Sequence, residues 1–442
     1  MSSHAHVVVG LGETGRSVAR YLAAEDIPFI VGEDHPTAAA ITEMKQLSNP
    51  PSILPISDVP MQSGSQWIVS PGIPLSLPQL KRAIKTGITL TNDVVLFSKR
   101  AKAPVVGITG SNGKTTVTSL VAHLARSQLS CVRVGGNIGT PCLDILDDAA
   151  DCYVLELSSY HLELAQKLPL EVGVLLNLSP DHLDRYSSTD EYYHVKGNVF
   201  NDARQCVSSE DCLSLAQSRS CKEISTFGSA ASRTCAGFGL VERDDATYLA
   251  QGSTLILDVR QLSIQGLSNW LNALAALAIG QRIGLDMHRM AEDLISFQGL
   301  PHRCQRIHLE DERIWVNDSK ATNVGAAVAA IRSYKDMGPL VLLLGGQGKS
   351  ADFSMLNIAL GEVKSLKAVL IYGEVAQELK STLDEWTNVT TFVAFGDMVE
   401  FAIAMTAPGD VILLSPACAS FDQFSSYESR GDCFTAMLGE VS

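Results

Sequence analysis

Short apolar runs recur along the chain, each followed by glycine or polar residues and then by a stretch of helical spacing. This rhythm predicts buried parallel strands alternating with helices. His6-Val7-Val8-Val9 reads as a strand, Gly10 to Gly15 as a glycine turn, Ser17 to Ala24 as a helix, and Pro28 to Val31 as a second strand. That strand leads into Glu33 and Asp34, which completes the pattern of a dinucleotide-binding unit. With strand-like pieces at Trp67 to Val69 and Ile88 to Leu90, residues 1–92 form a small α/β domain. A second domain, 93–298, carries apolar strands at Ala103 to Val106, Tyr153 to Leu155 and Val172 to Leu178, shorter β-like runs between 201 and 260, and a buried helix at Trp270 to Ile279. After the turn-like Gly299-Leu300-Pro301-His302-Arg303, strands at Ile314 to Val316, Leu340 to Leu344, Ala368 to Ile371 and Val411 to Leu414 predict a third α/β domain, 299–442. No internal repeat or low-complexity tract interrupts the series.

Chemistry concentrates at the strand ends. Gly107-Ile108-Thr109-Gly110-Ser111-Asn112-Gly113-Lys114-Thr115-Thr116 follows a strand and opens a helix, the context in which backbone N–H groups cradle a polyphosphate. Lys114 supplies charge there, and the Thr115 hydroxyl suits a magnesium ion. The spacing departs from the common phosphate loop, because Ile108 stands where its first glycine would be. Glu156, at the end of a buried strand, is a metal candidate, with helix capping or solvation as its bland alternative. His182 emerges after the next strand, although a lone histidine is commonly structural and magnesium prefers oxygen. Asn317 to Asn323 packs polar groups at another strand-to-helix junction, and a second glycine turn leads through Gly345, Gly346 and Gly348 to Lys349. Cys418, without a base beside it in sequence, reads as a packed small residue.

Composition narrows the classes. The chain has 442 residues, 46% hydrophobic and 19% charged, which describes a globular protein of several domains. A formal net charge of −14 argues against nucleic acid and anionic membranes as partners. No apolar run reaches the ~18 residues of a membrane span. The ten cysteines form no Cys-x-x-Cys pair, so thiols in a reducing cytoplasm are expected.

Taken in order, these segments resemble the Mur ligase family over essentially the whole chain. The resemblance rests on Gly10 to Gly15, Ile108 to Thr115, Gly135-Gly136-Asn137-Ile138-Gly139, Leu155-Glu156-Leu157-Ser158-Ser159, Asp181-His182-Leu183-Asp184-Arg185-Tyr186, Gly299 to Arg303, Asn317 to Asn323 and Ser415 to Ser420. It implies a Rossmann-like N-terminal domain, a P-loop ATPase-like central parallel sheet and a Rossmann-like C-terminal domain. The implied activity is ATP-dependent addition of D-glutamate to UDP-N-acetylmuramoyl-L-alanine through an acyl phosphate, by a cytoplasmic monomer using Mg2+.

The roles implied by matched position are as follows. Gly110, Ser111, Asn112, Gly113, Lys114, Thr115 and Thr116 hold the ATP phosphates; Asn269 and Asn272 lie on the adenine side; Arg303 and Asp318 lie near the phosphates and ribose. Thr115, Glu156, His182 and a carbamylated Lys196 would hold magnesium, with Asn137 near the acyl acceptor. Read from the sequence alone, Lys196 is a solvated residue. Lys320, Thr322, Lys349, Ser420 and Phe421 match the D-glutamate site, while Glu13, Thr14, Glu33, Ser70 and Asn92 match the uridine diphosphate site. The match is loosest around Glu33 and His35, and Ser268 replaces the histidine expected before Asn269. Rival readings are a sister ligase adding another amino acid, a folylpolyglutamate synthetase-like ligase, an NAD-dependent dehydrogenase built on the first glycine turn, and a nucleotide-binding regulator without catalysis.

Overall fold

A computed structural model describes residues 6–182, 185–219, 221–232, 237–348 and 351–439. The chain divides into two compact units, the first comprising 1–178, 182–227 and 275–290, the second 179–181, 228–274 and 291–442.

The first unit contains two runs of parallel strands. One has the order Ile53–Leu54, Phe29–Gly32, His6–Val9, Gln66–Val69, Thr89–Thr91. The other runs Ile224–Phe227, Gln205–Ser209, Val172–Leu175, Val105–Thr109, Cys152–Glu156, Val132–Gly136. Most of these strands are buried on both faces, which is why they read as unbroken apolar runs. One apolar cluster runs through both groups, from Val8, Val18 and Leu22 through Val94 and Phe97 to Tyr153, Leu155 and Phe200. The strand order of the first group reverses beside His6–Val9, so its glycine turn and residue 70 lie at a switch point, where ligands bind in open α/β sheets.

In the second unit, six strands follow the order Gln305–Ile307, Ile314–Asn317, Val411–Leu414, Leu340–Gly345, Leu366–Tyr372, Val389–Phe392. All neighbours are parallel except the first pair. This unit also holds an antiparallel meander, Phe238–Arg243, Ala246–Gln251 and Thr254–Asp258. The parallel rhythm anticipated for the middle of the chain therefore gives way to hairpins. The first turns at Asp244 and Asp245, both with positive φ (50° and 58°), the two-residue geometry that Asp tolerates.

Two expectations change. The run Val172 to Leu178 stops as a strand at Leu175, and its last residues become a loop at the sheet edge. The cysteines are not all thiols: Cys206 and Cys221 form a disulfide, with Cα atoms 6.4 Å apart. Cys206 lies on Gln205–Ser209 and Cys221 precedes the neighbouring parallel strand Ile224–Phe227, a proximity that sequence spacing does not reveal. No described helix is long and apolar enough to cross a membrane.

The loops at the strand ends of the second unit are held by a buried cation. Arg430, fully buried on helix Tyr427–Gly439, donates to Ser319 Oγ (2.9 Å), Ser319 O (2.8 Å), Cys418 O (3.1 Å), Gly345 O (3.4 Å) and Tyr372 Oη (3.0 Å). Loops after three adjacent strands are thus tied to one guanidinium, and its removal would strand several buried acceptors at roughly 1–3 kcal/mol each.

Asp318, at the end of Ile314–Asn317, accepts from Cys304 N (3.0 Å) and Ser415 Oγ (2.8 Å). Burial pushes its carboxyl from 3.8 up to about 6, against the opposing pull of Ser415 and the Cys304 amide. A raised carboxyl favours the fold while protonated, so its contribution is complete below pH 3.8 and is lost as pH rises through about 6. The full loss is about 3 kcal/mol. Asp318→Asn is therefore expected to unfold at higher temperature than the parent near pH 7.5, with the gap closing near pH 4.5. Thermal melts of both proteins at the two pH values check this, and a gap that stays constant contradicts it.

Candidate active site

In the first unit, Val105–Thr109 lies between Cys152–Glu156 and Val172–Leu175, so the loops after these strands share one sheet edge. Gly113 occupies the N-cap of helix Lys114–Arg126 with φ +81°, a left-handed conformation that favours glycine. The Lys114 amine folds back over its own loop and donates to Gly110 O (2.8 Å) and Ser111 O (2.9 Å). Thr116 is buried in the first helical turn. The loop's shape is copied onto the next strand end. Asn177 O accepts from Ser111 N (3.0 Å), while the Asn177 amide exchanges bonds with Asn112 N (2.8 Å) and Asn112 O (3.0 Å). Asn177 carries no sequence motif, but it stands in the loop just past a strand, beside the glycine loop, which is the signal that could have found it.

Glu156 is only 2% exposed. Its Oε2 accepts from Thr115 Oγ1 and its Oε1 from Asn137 Nδ2, each at 2.8 Å. A buried carboxylate whose hydrogen-bond partners are a neutral hydroxyl and a neutral amide is costly, and hard oxygen donors of this kind fit a magnesium ion. Asn137 is fixed further by its backbone N–H on Glu156 O (2.8 Å). His182 has φ +54° and its Nδ1 lies 2.9 Å from Tyr160 Oη. Among the described residues, no group of three or more His, Cys, Asp or Glu side chains is arranged to hold a metal. Lys196 is buried, donating to Gly110 O (2.9 Å) with its amine 4.7 Å from the Tyr192 ring centre. Tyr192 in turn lies 3.2 Å from Ser111 Oγ. The solvated reading of Lys196 fails because helix Thr189–Lys196 ends against the phosphate loop.

At the first glycine turn, Gly10 has φ +90°, and a side chain there would meet Ser70 and Ile73 at 3.0 Å. Ser70 Oγ donates to Gly10 O (3.2 Å). Glu13 and Thr14 open helix Glu13–Ala24, Glu13 exposed and Thr14 half-buried. Glu33 spans the turn, accepting from Leu11 N (2.7 Å) and His35 N (2.9 Å). Asn92 is buried, capping helix Asp93–Arg100 through Val95 N (3.1 Å) and donating to His161 O (2.7 Å). Both ends of its side chain are thus engaged within the protein.

In the second unit, the residues after Ile314–Asn317, Leu340–Gly345 and Val411–Leu414 come from adjacent parallel strands. Gln347 and Ala419 exchange backbone bonds (2.8 and 3.0 Å), placing Ser420, which is buried, beside the glycine turn. Phe421 is 61% exposed. Thr322 N donates to Lys320 O (2.7 Å), and the Lys320 amine sits 3.9 Å from the Tyr427 ring centre. Lys349 lies outside the described residues. Arg303 follows His302, whose φ is +60°, and precedes Cys304, the donor to Asp318. Asn269 donates to Gln265 O (3.1 Å) and Asn272 to Asn269 Oδ1 (3.4 Å) in the first turns of helix Leu267–Arg282. Burial pushes the Cys418 thiol up to about 12, consistent with a packed residue and not a nucleophile.

Comparison with known proteins agrees with this architecture. Residues 4–92 match the family described as Mur ligase MurD-like, N-terminal domain; 108–280 match the Mur ligase middle domain; 302–418 match the Mur ligase glutamate ligase domain. A Legionella pneumophila protein named UDP-N-acetylmuramoylalanine–D-glutamate ligase is 38% identical over 448 residues, 99% of each chain. A Pseudomonas fluorescens protein of the same name is 40% identical over 448 residues, 100% of this chain and 99% of its own. Among solved structures, the fold resembles MurF ligase from Thermotoga maritima in complex with ADP, at TM-score 0.61 and 17% identity, covering 88% of this chain and 98% of that one. It also resembles UDP-N-acetylmuramate-alanine ligase MurC from the same organism, at TM-score 0.60 and 18% identity, covering 99% of each chain. With three matched domains in sequence order and relatives aligned from end to end, the chain belongs to the Mur ligase family.

Proposed function

We propose that this protein joins D-glutamate to UDP-N-acetylmuramoyl-L-alanine at the expense of ATP, in the synthesis of peptidoglycan precursors. The observation that carries the reading is the end-to-end similarity to relatives bearing that name, combined with a phosphate loop whose Lys114, Thr115 and Glu156 share one sheet edge. The carboxylate of the L-alanine end attacks the γ-phosphorus and ADP leaves. The amine of D-glutamate then attacks the resulting acyl phosphate, an amide bond forms, and phosphate leaves with the amine's surplus proton lost to solvent or a base.

Residues 110–116 cradle the phosphates, and Lys114, swung from its own loop carbonyls, neutralises charge as the phosphoryl group moves. Thr115 and Glu156, with His182 and a carbamate on Lys196, would hold magnesium, which when bound screens the negative charge between the attacking carboxylate and ATP. Asn137, fixed on Glu156, serves the acyl acceptor. Asn269, Asn272, Arg303 and Asp318 serve the nucleoside side. Glu13, Thr14, Glu33, Ser70 and Asn92 serve the uridine diphosphate portion. Lys320, Thr322, Lys349, Ser420 and Phe421 take D-glutamate, whose second carboxylate suits a cation and hydroxyls. We assign domains 1–92, 93–298 and 299–442 to precursor, ATP and amino acid respectively.

Two results test this reading. ATP-dependent phosphate release with UDP-N-acetylmuramoyl-L-alanine is expected with D-glutamate and not with L-glutamate, L-alanine, L-lysine or diaminopimelate. Release with another of these amino acids moves the assignment to a sister ligase, and silence with all refutes it. Lys196→Ala is expected to lose about 100-fold or more in kcat and to recover part of it with added formate or acetate, as a missing buried anion would. Loss without recovery removes the carbamate from the account.

A further inference from the structure

Arg185 has no part in the chemistry above, yet all three of its guanidinium nitrogens donate hydrogen bonds. Its side chain is 11% exposed, and that of its ion-pair partner Glu163 is 10% exposed. Nε donates to Glu163 Oε1 (2.9 Å) and Nη2 to Glu163 Oε2 (2.6 Å), the paired geometry in which an arginine and a carboxylate are fixed to each other. The rest of the fork reaches a different part of the chain. Nη1 donates to Pro71 O (2.9 Å) and Nη2 to Ile73 O (3.2 Å). These two carbonyls belong to the segment that begins at Ser70, whose hydroxyl is on Gly10 O and against which Gly10 is closely packed.

The same guanidinium lies 4.1 Å from the Tyr160 ring centre, and the Tyr160 hydroxyl is 2.9 Å from His182 Nδ1. Arg185 N donates to His182 O (3.0 Å), so side chain and backbone act on the same neighbour. Glu163 and Tyr160 both stand on helix Ser159–Leu164, which follows the strand ending in Glu156. One planar cation therefore joins the turn at residues 70–73, the helix after Glu156, and His182.

We propose that Arg185 is a positioning residue that locks the turn at residues 70–73 to the His182 side of the sheet edge, so that the precursor's diphosphate end and its reacting carboxylate are held in one register. This rests on the reading of the chain as a ligase acting on a UDP-linked precursor. Two carbonyls that accept from one rigid fork give the turn an orientation that a flexible ammonium cannot copy. The two carbonyls that accept from it belong to the turn at the precursor's diphosphate end, and the fork makes no hydrogen bond to residues 110–116, so the lock acts first on precursor binding.

Steady-state kinetics of Arg185→Ala and Arg185→Lys, with calorimetric binding of magnesium-free ADP to the same proteins, test it. For Arg185→Ala, KM for UDP-N-acetylmuramoyl-L-alanine is expected to rise about tenfold or more, while KM for D-glutamate and the Kd of ADP stay within about twofold. Arg185→Lys is expected to recover only a part of the lost precursor affinity. A precursor KM within about twofold of the parent, or a parallel loss of ADP affinity, overturns the proposal, the second by showing general loosening. If Arg185→Ala does not fold, Glu163→Gln, which frees the guanidinium from its anchor, is expected to raise the precursor KM by about threefold, and an unchanged KM overturns the proposal. A parent enzyme that shows no turnover with this precursor refutes the ligase reading itself, and the inference with it.

Discussion

A carboxylate held in the interior by neutral partners organises the first unit. Glu156 could not be placed at the end of its strand at tolerable cost without the Thr115 hydroxyl and the Asn137 amide on its two oxygens. Those contacts in turn set where the phosphate-loop helix starts and how the chain leaves Val132–Gly136. The left-handed Gly113 lets the loop close over the strand edge, and Asn177 fixes the loop from the other side. The result is a negative point with its hard oxygen donors in place, next to a lysine whose amine already lies among the loop carbonyls. Hard oxygens so arranged fit a divalent cation.

The second unit uses the opposite charge. Arg430 is buried beneath three loops and is satisfied by carbonyls and hydroxyls of Ser319, Cys418, Gly345 and Tyr372. The loops that carry Lys320, Thr322 and Ser420 are thereby anchored on one guanidinium. Asp318 stands at the neighbouring strand end with a carboxyl raised by burial, a cost that a structural residue would be spared by an amide.

Much of this was legible in the sequence because buried parallel strands are apolar on both faces and are punctuated by glycine. His6–Val9, Leu340–Gly345 and Val411–Leu414 declare themselves in that way, and the glycine run before Lys114 marks its own loop. What escaped has physical reasons. Lys196 looks solvated in sequence because lysine usually is, and only the packing of its helix against residue 110 buries it. Asn177 holds backbone atoms far away in sequence, which leaves no residue-type pattern, and Arg185, although it stands within Asp181 to Tyr186, takes distant partners at Pro71, Ile73 and Glu163. The Cys206–Cys221 disulfide depends on the pairing of two neighbouring strands. The hairpin that turns at Asp244 and Asp245 has no glycine to announce it, its positive φ values being borne by two aspartates.

The central claim is that Glu156 is placed to receive a divalent cation. Its most direct measurement is Mn2+ binding, followed by electron paramagnetic resonance, to the parent protein and to Glu156→Gln, each with saturating ADP. The account predicts that the substitution, which keeps the shape and the neutral contacts but removes the charge, weakens Mn2+ by about tenfold or more. Equal affinity in the two proteins would contradict it.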